Sequence, residues 1–211
     1  MYYNINMKKT TDLQKTKRVR RNRKEEILET ASKLFAEYGY QGTSFASIAE
    51  KVGLTEQGVL HYFPNKENLL QGVLQYRDDE AFNRYSKFFD LTNKNIDVFF
   101  DLLVEAFSEN EKVPGLIQLF TVLVGESIRS DHLLHDYFVE RYRQVRELYI
   151  QNFINMNLKK LRPDIDEGQL ASVIMAVMDG LQIQWLLDPE KVNLVESFRF
   201  FSKMIVDYLK Q

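Results

Sequence analysis

The segment SFASIAEKVGLTEQGVLHYF, residues 44–63, contains two short amphipathic stretches separated by a break at Gly53. Each stretch spans about eight residues, which is too short for a stable isolated helix in water. Glycine permits the left-handed backbone that a tight turn between two helices requires. The segment therefore predicts a helix-turn-helix unit that depends on packing against a third helix. The apolar positions that would face this helix are Phe45, Ile48, Ala49, Val52, Val59, Leu60 and Phe63.

The preceding segment, KEEILETASKLFAEYGY, supplies the packing helix. Its apolar residues recur at spacings of three and four, which predicts one buried stripe on a helix that ends at Gly39. Pro64 ends the unit because the residue before a proline avoids the helical conformation. A long fourth helix, Lys66–Phe89, follows. The side chains that would cap the second, third and fourth helices are those of Thr43 or Ser44, of Thr55, and of Asn65.

Beyond residue 89 the same periodicity predicts further long helices, and the breaks between them fall at prolines. No segment alternates apolar and polar residues over the length of a strand, and no repeat of 20–50 residues is present. The predicted fold is all-α with about nine helices. A helix-turn-helix domain of three helices, residues 22–68, precedes a larger helical domain, residues 69–211, and the boundary lies within the fourth helix. The later helices are predicted at 95–110, 115–129, 132–160, 167–187 and 194–210.

The composition is that of a soluble globular protein, with 45% hydrophobic and 27% charged residues in a chain of 211. The N-terminal residues lack the apolar core of a signal peptide. The longest apolar run, 116–125, is half the length that spans a bilayer. The absence of cysteine excludes disulfides and thiolate metal sites. We therefore expect a cytoplasmic protein that binds no membrane.

The charge is divided unevenly along the chain. Residues 1–24 hold nine Lys or Arg and a single Asp, a net charge of +8. Since the whole chain carries −2, the remaining 187 residues carry −10. A basic arm, residues 1–21, on an acidic body predicts contact with a polyanion at one end of the protein. The charge run taken alone is equally consistent with a solvated tail.

The sequence does not predict an enzyme. It contains no P-loop, no GxSxG motif and no dinucleotide-binding glycine fingerprint, and no nucleophile is paired with a base. His132 and His135 are one helical turn apart, a spacing that a metal could use. The only further ligands nearby are Asp131 and Asp136, which are ordinary residues for a helix end. We therefore expect no catalytic residue, no cofactor and no metal site.

The second short helix of the helix-turn-helix has a polar outer face. Glu56, Gln57, Gly58 and His61 lie opposite the apolar positions. In the major groove, Gln57 can hydrogen-bond adenine and Glu56 can accept from a cytosine amine. Gly58 allows a close approach of the backbone. An ordinary surface hairpin would account for the apolar positions but not for this polar face beside a basic arm.

Residues around these two helices are suited to hold the DNA backbone. Hydroxyl groups can donate to phosphate oxygens, and each helix N-terminus adds a positive dipole end. A lysine that opens the fourth helix adds a charge. The residues predicted to contact phosphate are Thr43, Ser44, Thr55, Tyr62 and Lys66.

Residues 27–70, ILETASKLFAEYGYQGTSFASIAEKVGLTEQGVLHYFPNKENLL, resemble the tetracycline-repressor-like (TetR) family of regulators. The shared pattern runs from the Ile-Leu and Leu-Phe pairs through Gly-Tyr, Thr-Ser and Ile-Ala to the closing YF and NKENLL. One position departs from it, because Leu60 stands where many members carry a phosphate-contacting tyrosine. MDGLQIQWLLDPE, residues 178–190, is similar to the BetI-like C-terminal subgroup. The resemblance implies a dimeric regulator, most often a repressor, that binds a palindromic operator on double-stranded DNA and is released by a small-molecule effector.

Helix 167–187 is apolar on two faces, so it needs a cover on both sides. One cover would be its own domain, and we assign the other to a second copy of the chain, packed as a four-helix bundle with the last helix. The predicted dimer residues are Val173, Ala176, Val177, Gly180, Leu187, Phe198, Phe201 and Ile205. Polar residues scattered on apolar helices are candidates for an effector pocket. They are Gln118, Thr121, Glu126, Tyr142, Gln182 and Trp185.

A second interpretation is an all-α protein whose basic arm binds RNA, a membrane surface or a protein partner. That interpretation leaves the three-helix unit at 27–70 unexplained. Recovery of an inverted repeat from random genomic duplex would favour the regulator.

Overall fold

The computed structural model describes the backbone of residues 5–89 and 95–211, and the side chains of residues 23–83, 95–160 and 162–211. Within these residues the fold is entirely helical, as the sequence predicts, with ten α-helices and a 3₁₀ turn at Glu109–Lys112. The helices are α1 (Ile5–Gly42), α2 (Phe45–Val52), α3 (Glu56–Leu60), α4 (Lys66–Phe89), α5 (Ile96–Ser108), α6 (Pro114–Glu126), α7 (His135–Asn155), α8 (Leu158–Leu161), α9 (Glu167–Leu187) and α10 (Leu194–Lys210).

The chain forms two compact units, Met1–Arg77 and Asp78–Gln211, and the division falls within α4. In the first unit, α1, α2, α3 and the start of α4 bury one shared apolar core. Gly72 is needed in this core, because a Cβ at that position would lie 2.9 Å from Phe63 Cε1 and 3.0 Å from Leu28 Cδ2. The main core residues are Ile27, Ala31, Phe35, Ile48, Ala49, Val59, Phe63, Leu69, Leu70 and Val73.

Local capping explains where the short helices begin and end. Ser44 accepts a hydrogen bond from the Ser47 backbone N–H, and the Ser47 side chain caps Ser44 in return. Gly53 ends α2 in the left-handed conformation, with φ of 66°. Thr55 Oγ1 accepts from Gly58 N–H at 3.1 Å and starts α3. These caps agree with the sequence predictions, since each depends on residues within one helical turn.

The second unit has α9 at its centre, in contact with α6, α7 and α10, while α5 packs on α10. Its core is rich in aromatic rings: Phe99 contacts Tyr149 and Phe153 edge-on, with ring centroids 5.5 and 5.1 Å away. One of the two apolar faces of α9 lies inside this unit and is buried at Ala171 and Ile174. Met178, Leu181 and Trp185 pack against the same core.

Two predicted helix boundaries are wrong. The helix expected at 132–160 is broken at Asn157, which adopts φ of 53°, so that α7 ends at Asn155 and α8 is separate. Asparagine tolerates this left-handed conformation better than most residues. The N-terminal end also differs, because residues 127–134 form turns in which His132 Nδ1 lies 2.9 Å from Ser127 Oγ and accepts from Leu134 N–H.

By length and composition, α9 is also the one described helix that could cross a membrane, a property that the core helices of soluble proteins share. Its apolar sequence is not continuous, since Gln169, Asp179 and Gln182 divide it. Leu170, Ala171, Ile174 and Met175 of this helix are buried in the core of the second unit.

Candidate nucleic-acid interface

The outer face of α3 is polar and exposed. Val59 is fully buried and Phe63 nearly so, and they hold the helix from inside. Glu56, Gln57 and His61 point away from the core and are exposed. This arrangement presents side chains that can hydrogen-bond base edges on a rigidly supported helix.

Gly58 and Leu60 are partly buried in α3. A Cβ at position 58 would lie 3.3 Å from Thr55 Oγ1 and 3.5 Å from Leu54 Cβ, so glycine allows the cap and the turn to pack closely. Leu60, which replaces the family tyrosine, is intermediate in exposure and not fully part of the core. The ring of Tyr62, also partly exposed, lies edge-on to His61 with centroids 5.7 Å apart.

The hydroxyl groups predicted to contact phosphate fall into two groups. Ser44 and Thr55 are exposed, and each uses its oxygen as a helix cap. Capping occupies an acceptor lone pair, and a hydroxyl can still donate its hydrogen. Thr43 is different, because it is buried and its hydroxyl faces the Leu34 and Gly39 carbonyl oxygens at 3.1 and 3.0 Å. The phosphate contact predicted for Thr43 is therefore wrong: this hydroxyl satisfies carbonyls at the end of α1.

Lys66 opens α4 beside the ring of Tyr40, a residue that was not among the predicted DNA contacts. Its Nζ lies 4.5 Å from the centroid of the Tyr40 ring, within the range of a cation–π contact. Partial burial lowers the pKa of Lys66, and the neighbouring Glu67 opposes this shift. The Asn65 side chain caps the same helix end by accepting from Asn68 N–H at 2.7 Å. A cation and a helix N-terminus thus occur together there, which suits a phosphate.

The predicted contacts of the basic arm, residues 1–21, lie outside the residues whose side chains are described. At the edge of the described part, Arg23 pairs with Glu26 at 2.7 Å, and Lys24 Nζ lies 5.5 Å from the Phe63 ring centroid.

The outer faces of α9 and α10 are apolar and exposed. On α9, Val173, Ala176 and Leu187 are exposed, and Val177 and Gly180 are partly so. On α10, Phe201 and Ile205 are partly buried. Further exposed apolar residues extend this surface beyond the predicted set: Ile183, Phe200, Met204 and Tyr208.

Phe198 is wrongly placed in the predicted dimer set. Its side chain is fully buried within one chain, and its ring centroid lies 4.8 Å from that of Phe107. The sequence pattern gives α10 an apolar side, but only packing decides whether the core of the same chain or a second chain covers it. Phe200, two residues further on, is 68% exposed.

The residues predicted for an effector site differ in exposure. Gln118 and Glu126 are exposed on α6, and Thr121 is partly exposed. Tyr142 and Trp185 are partly buried. Gln182 is 8% exposed. Tyr142 and Trp185 pack against the core of the second unit, whereas the pocket role predicted for Gln118 and Glu126 conflicts with their exposure.

A polar cluster that the sequence did not reveal lies beside Tyr142. It consists of Asp78, Tyr137, Arg141, Tyr142 and Asp179, and we call it the α7 cluster. Arg141 Nε lies 3.1 and 2.8 Å from the two Asp78 carboxylate oxygens, and Tyr137 Oη donates to Asp78 Oδ2 at 2.7 Å. Tyr142 Oη donates to Asp179 Oδ2 at 2.7 Å. These hydrogen bonds join residues 37 to 63 positions apart in the sequence, all of them within the second unit.

Burial controls the electrostatics of the α7 cluster. It raises the pKa of Asp179 above that of an ordinary aspartate, while the Tyr142 hydrogen bond and the Arg141 charge act in the opposite direction. Burial also raises the pKa of Tyr142, so its hydroxyl stays protonated. Arg141 contacts the Phe120 ring, with Cζ 4.6 Å from the centroid.

A capped helix-turn-helix with an exposed polar helix defines a DNA-binding protein, and the comparisons with known proteins specify its class. Residues 27–73 match the model of bacterial regulatory proteins of the tetR family. Residues 99–209, more than half of the chain, match the C-terminal model of BetI-type transcriptional repressors. The chain belongs to the tetR family of transcriptional regulators and has a BetI-like C-terminal domain. This result confirms the resemblance and the fold class predicted from sequence.

Curated relatives align along most of their length. The nucleoid occlusion factor SlmA of Idiomarina loihiensis is 23% identical over 163 residues, which cover 76% of this chain and 82% of that protein. The HTH-type transcriptional repressor AcnR of Corynebacterium diphtheriae is 26% identical over 161 residues, 75% of this chain and 78% of that protein.

Solved structures share the fold. A regulator from Saccharomonospora viridis in complex with choline superposes with a TM-score of 0.71 at 21% identity, over 88% of this chain and 95% of that one. FadR from Bacillus subtilis in complex with stearoyl-CoA also has a TM-score of 0.71, at 18% identity, over 88% and 97%. At these identities the likeness establishes the fold alone.

The comparisons bear on the enzyme prediction only through the class of protein that they name. Family members and neighbours are transcriptional regulators. Among the residues that the structure describes, no group of three or more His, Cys, Asp or Glu is placed to hold a metal ion.

Proposed function

We propose that this chain is a cytoplasmic transcriptional repressor that binds a palindromic operator as a homodimer and is released by a small-molecule effector. The observation that carries the proposal is the exposed outer face of α3. Glu56, Gln57 and His61 are exposed there while Val59 and Phe63 fix the helix from inside. Such a face suits the major groove, which admits an α-helix and displays a distinct pattern for each base pair.

The proposed DNA contacts divide into two kinds. Gln57 and His61 would read base edges, and Glu56 would accept from a cytosine amine. Ser44, Thr55, Tyr62 and Lys66 would hold phosphates, and Gly58 would allow close approach. The helix ends at α2 and α4 strengthen these anchors, because their unpaired N–H groups favour an anion. The basic arm would add charge that attracts DNA without regard to sequence.

A dimer follows from the demands of site recognition and from the exposed apolar surface. One helix-turn-helix reads only a few base pairs, too few to select a site in a genome. Two copies related by a two-fold axis place their recognition helices about 34 Å apart, one turn of DNA. Val173 and Leu187 of α9, with Phe200 of α10, form the apolar face on which the second copy would pack, since large exposed apolar patches are typical of interaction sites.

Release by an effector would act through α4. This helix begins at Lys66, beside the proposed DNA anchors, and also carries Asp78, which belongs to the second unit. A ligand that moves α4 would change the separation of the two recognition helices. The coupling required is about 1–3 kcal/mol per site. Support for a ligand comes from fold neighbours whose structures were solved in complex with choline and with stearoyl-CoA.

The test is selection from random genomic duplex fragments. Full-length protein is expected to retain fragments that share an inverted repeat, and a Glu56→Ala, Gln57→Ala variant is expected to lose that enrichment. The matched control is a Glu80→Ala, Gln75→Ala variant, which alters two α4 residues outside α3. Uniform retention of all fragments would reject operator binding and favour the alternative in which the arm binds nucleic acid by charge alone.

A second candidate function is nucleoid occlusion, the name carried by the SlmA relative that aligns over 76% of this chain. The two functions separate in a transcription assay. A repressor lowers expression of a reporter placed next to its recovered site, and an effector restores it. Binding to the same site without any change in reporter expression would favour the second candidate.

A further inference from the structure

Tyr40 presents a fixed aromatic ring at the C-terminal end of α1. Gly39 adopts a φ of 75°, which turns the chain out of helical geometry just before Tyr40. The Thr43 hydroxyl donates to the Gly39 carbonyl oxygen at 3.0 Å, and the Thr43 N–H donates to the Tyr40 carbonyl oxygen at 3.4 Å. The Tyr40 ring lies against that of Phe35, which is 1% exposed, with centroids 5.6 Å apart. The backbone turn and the core of the first unit therefore set the position of the Tyr40 ring.

The same ring holds the ammonium group of Lys66. Lys66 Nζ lies 4.5 Å from the Tyr40 ring centroid, inside the range of about 6 Å for a cation–π contact. Both side chains are only partly buried, so the contact lies at the surface of the first unit. Partial burial raises the pKa of Tyr40, so its phenol stays neutral beside the cation.

Lys66 differs in this respect from the lysines that form ion pairs. The ammonium groups of Lys112, Lys159 and Lys210 lie 2.6, 3.2 and 2.7 Å from carboxylate oxygens. Lys66 forms no ion pair with a carboxylate among the described residues, and the exposed Glu67 acts on it through charge alone. An aromatic ring carries no net charge, so it orients a cation without neutralising it. A phosphate can therefore approach Lys66 without displacing a carboxylate.

A lysine that is already oriented is better suited to bind a phosphate. The lysine side chain has many rotamers, and their loss on binding opposes complex formation. Contact with the Tyr40 ring restricts Lys66 before DNA arrives, so less freedom is lost in the complex. Lys66 also opens α4, where unpaired backbone N–H groups favour an anion.

We propose that Tyr40 is a positioning residue for DNA binding: its ring holds the Lys66 ammonium group at the N-terminus of α4 and leaves the positive charge available to a backbone phosphate. The inference rests on the proposed function, since the phosphate is that of duplex DNA. Tyr40 acts through Lys66, and its hydroxyl is not required. Phosphate contacts carry no direct sequence information, so Tyr40 affects binding to all duplexes alike.

The first test needs no DNA and uses nuclear magnetic resonance of the full chain labelled with ¹³C-lysine. Protons above an aromatic face are shifted upfield, so the Lys66 Hε signals are expected upfield of those of Lys51, an exposed residue of α2. The Lys66→Gln variant identifies the signals by their loss. Tyr40→Phe should keep the upfield shift and Tyr40→Leu should remove it. Lys66 signals at the position of Lys51 in the unmodified chain would overturn the inference.

The second test measures affinity for a random-sequence duplex of about 30 base pairs at several salt concentrations, so that it depends on no operator. Tyr40→Leu is expected to weaken binding about two- to fivefold, which is the contribution of a cation–π contact at an exposed site. Tyr40→Phe should bind as the unmodified chain does. Tyr38→Leu, which removes a 58% exposed ring from the same helix, is the matched control and should change nothing. An equal loss in Tyr40→Phe would assign the effect to the hydroxyl and overturn the inference.

A double-mutant cycle separates positioning from support of the fold. In the Lys66→Gln background, Tyr40→Leu is expected to cause no further loss of affinity, because the charge that the ring holds is already absent. A further two- to fivefold loss in that background would show a structural role and overturn the inference. If Tyr40→Leu does not fold, Tyr40→Met takes its place, since methionine adapts its shape to the contact with Phe35.

The inference and the proposed function fail in different ways. If the duplex binds and Tyr40→Leu binds equally well, DNA binding stands and the role of Tyr40 falls. If the unmodified chain shows the upfield Lys66 signals and binds no duplex, the ring contact stands, while the proposed function and the role of Tyr40 in DNA binding both fall.

Discussion

Arg141 and Asp78 form an ion pair in which the guanidinium Nε lies 2.8 Å from Oδ2 of the carboxylate, with three quarters of each side chain shielded from solvent. Tyr137 Oη donates to the same oxygen at 2.7 Å. The carboxylate therefore joins the C-terminal half of α4 to α7. Such a pair is costly to break, because removal of one member leaves the other charge shielded and unpaired.

Asp78→Ala is expected to lower the free energy of unfolding by about 1–3 kcal/mol, since it leaves the Arg141 guanidinium and the Tyr137 hydroxyl without their acceptor. Urea unfolding followed by circular dichroism measures this loss. Glu147→Gln, which breaks an exposed ion pair with Arg143, is the control and should leave the midpoint almost unchanged. If both substitutions lowered the free energy of unfolding equally, shielding from solvent would not make the Asp78 ion pair more important for stability than an exposed one.

Asp179→Asn is expected to raise stability near pH 7, with a gain that shrinks as the pH falls. Burial raises the pKa of Asp179 in the folded chain above its unfolded value of about 3.9. The ionised form therefore destabilises the fold above the raised pKa, and protonation removes that cost as the pH falls toward about 4. Thermal unfolding of both proteins between about pH 4 and pH 8 gives the difference curve. A stability difference between the two proteins that widens toward acid pH would contradict the raised pKa of Asp179.

Gly72→Ala is expected to lower the free energy of unfolding by about 1 kcal/mol. Overpacking against Phe63 and Leu28 costs about 1–3 kcal/mol and outweighs the gain of about 1 kcal/mol in helix propensity. The matched control is Gly125→Ala, where a Cβ would meet no atom within 4 Å, and there stability should rise. Chemical denaturation of the two variants compares them directly, and an increase for Gly72→Ala would mean that the Phe63 ring can move aside.

Gln57→Ala is expected to relax the preference for one base pair in each half-site, at a cost of about 1–3 kcal/mol on the preferred operator. Lys66→Gln should instead weaken binding to all sequences alike and reduce the salt slope of log K by about 1. Affinities for a set of single-base operator variants at several salt concentrations separate the two effects. Uniform weakening by Gln57→Ala would remove that residue from base readout.

Phe200→Glu combined with Val173→Glu is expected to convert a dimer into a monomer, because both side chains are about half exposed or more within one chain and a charge in the dimer interface would be desolvated. Light scattering after size-exclusion chromatography measures the molar mass. Val139→Glu, on an exposed apolar position of α7, is the control and should leave the oligomeric state unchanged. A dimer that survives the double substitution would exclude this face as the interface.

Much of the helix-turn-helix could be predicted from sequence, because its determinants are local. Ser44, Gly53 and Thr55 act through the backbone of the next three or four residues, and apolar spacing marks the buried sides of α1 and α2. The polar outer positions of α3 follow from the same geometry. Local signals were less reliable where a residue had two possible roles, as with Thr43, whose hydroxyl turns inward to α1 carbonyls.

The sequence by itself determined an all-helical chain, the capped pair of short helices and the family, since periodicity, caps and motif spacing act over a few residues. Only the tertiary structure decided that Phe198 is buried in its own chain while Phe200 is exposed, because an apolar stripe does not reveal whether its own domain or a second chain covers it. The tertiary structure also brings the residues of the α7 cluster together. Asp78, Arg141 and Asp179 come from three separate helices. Their side chains are shielded from solvent only when those helices pack together.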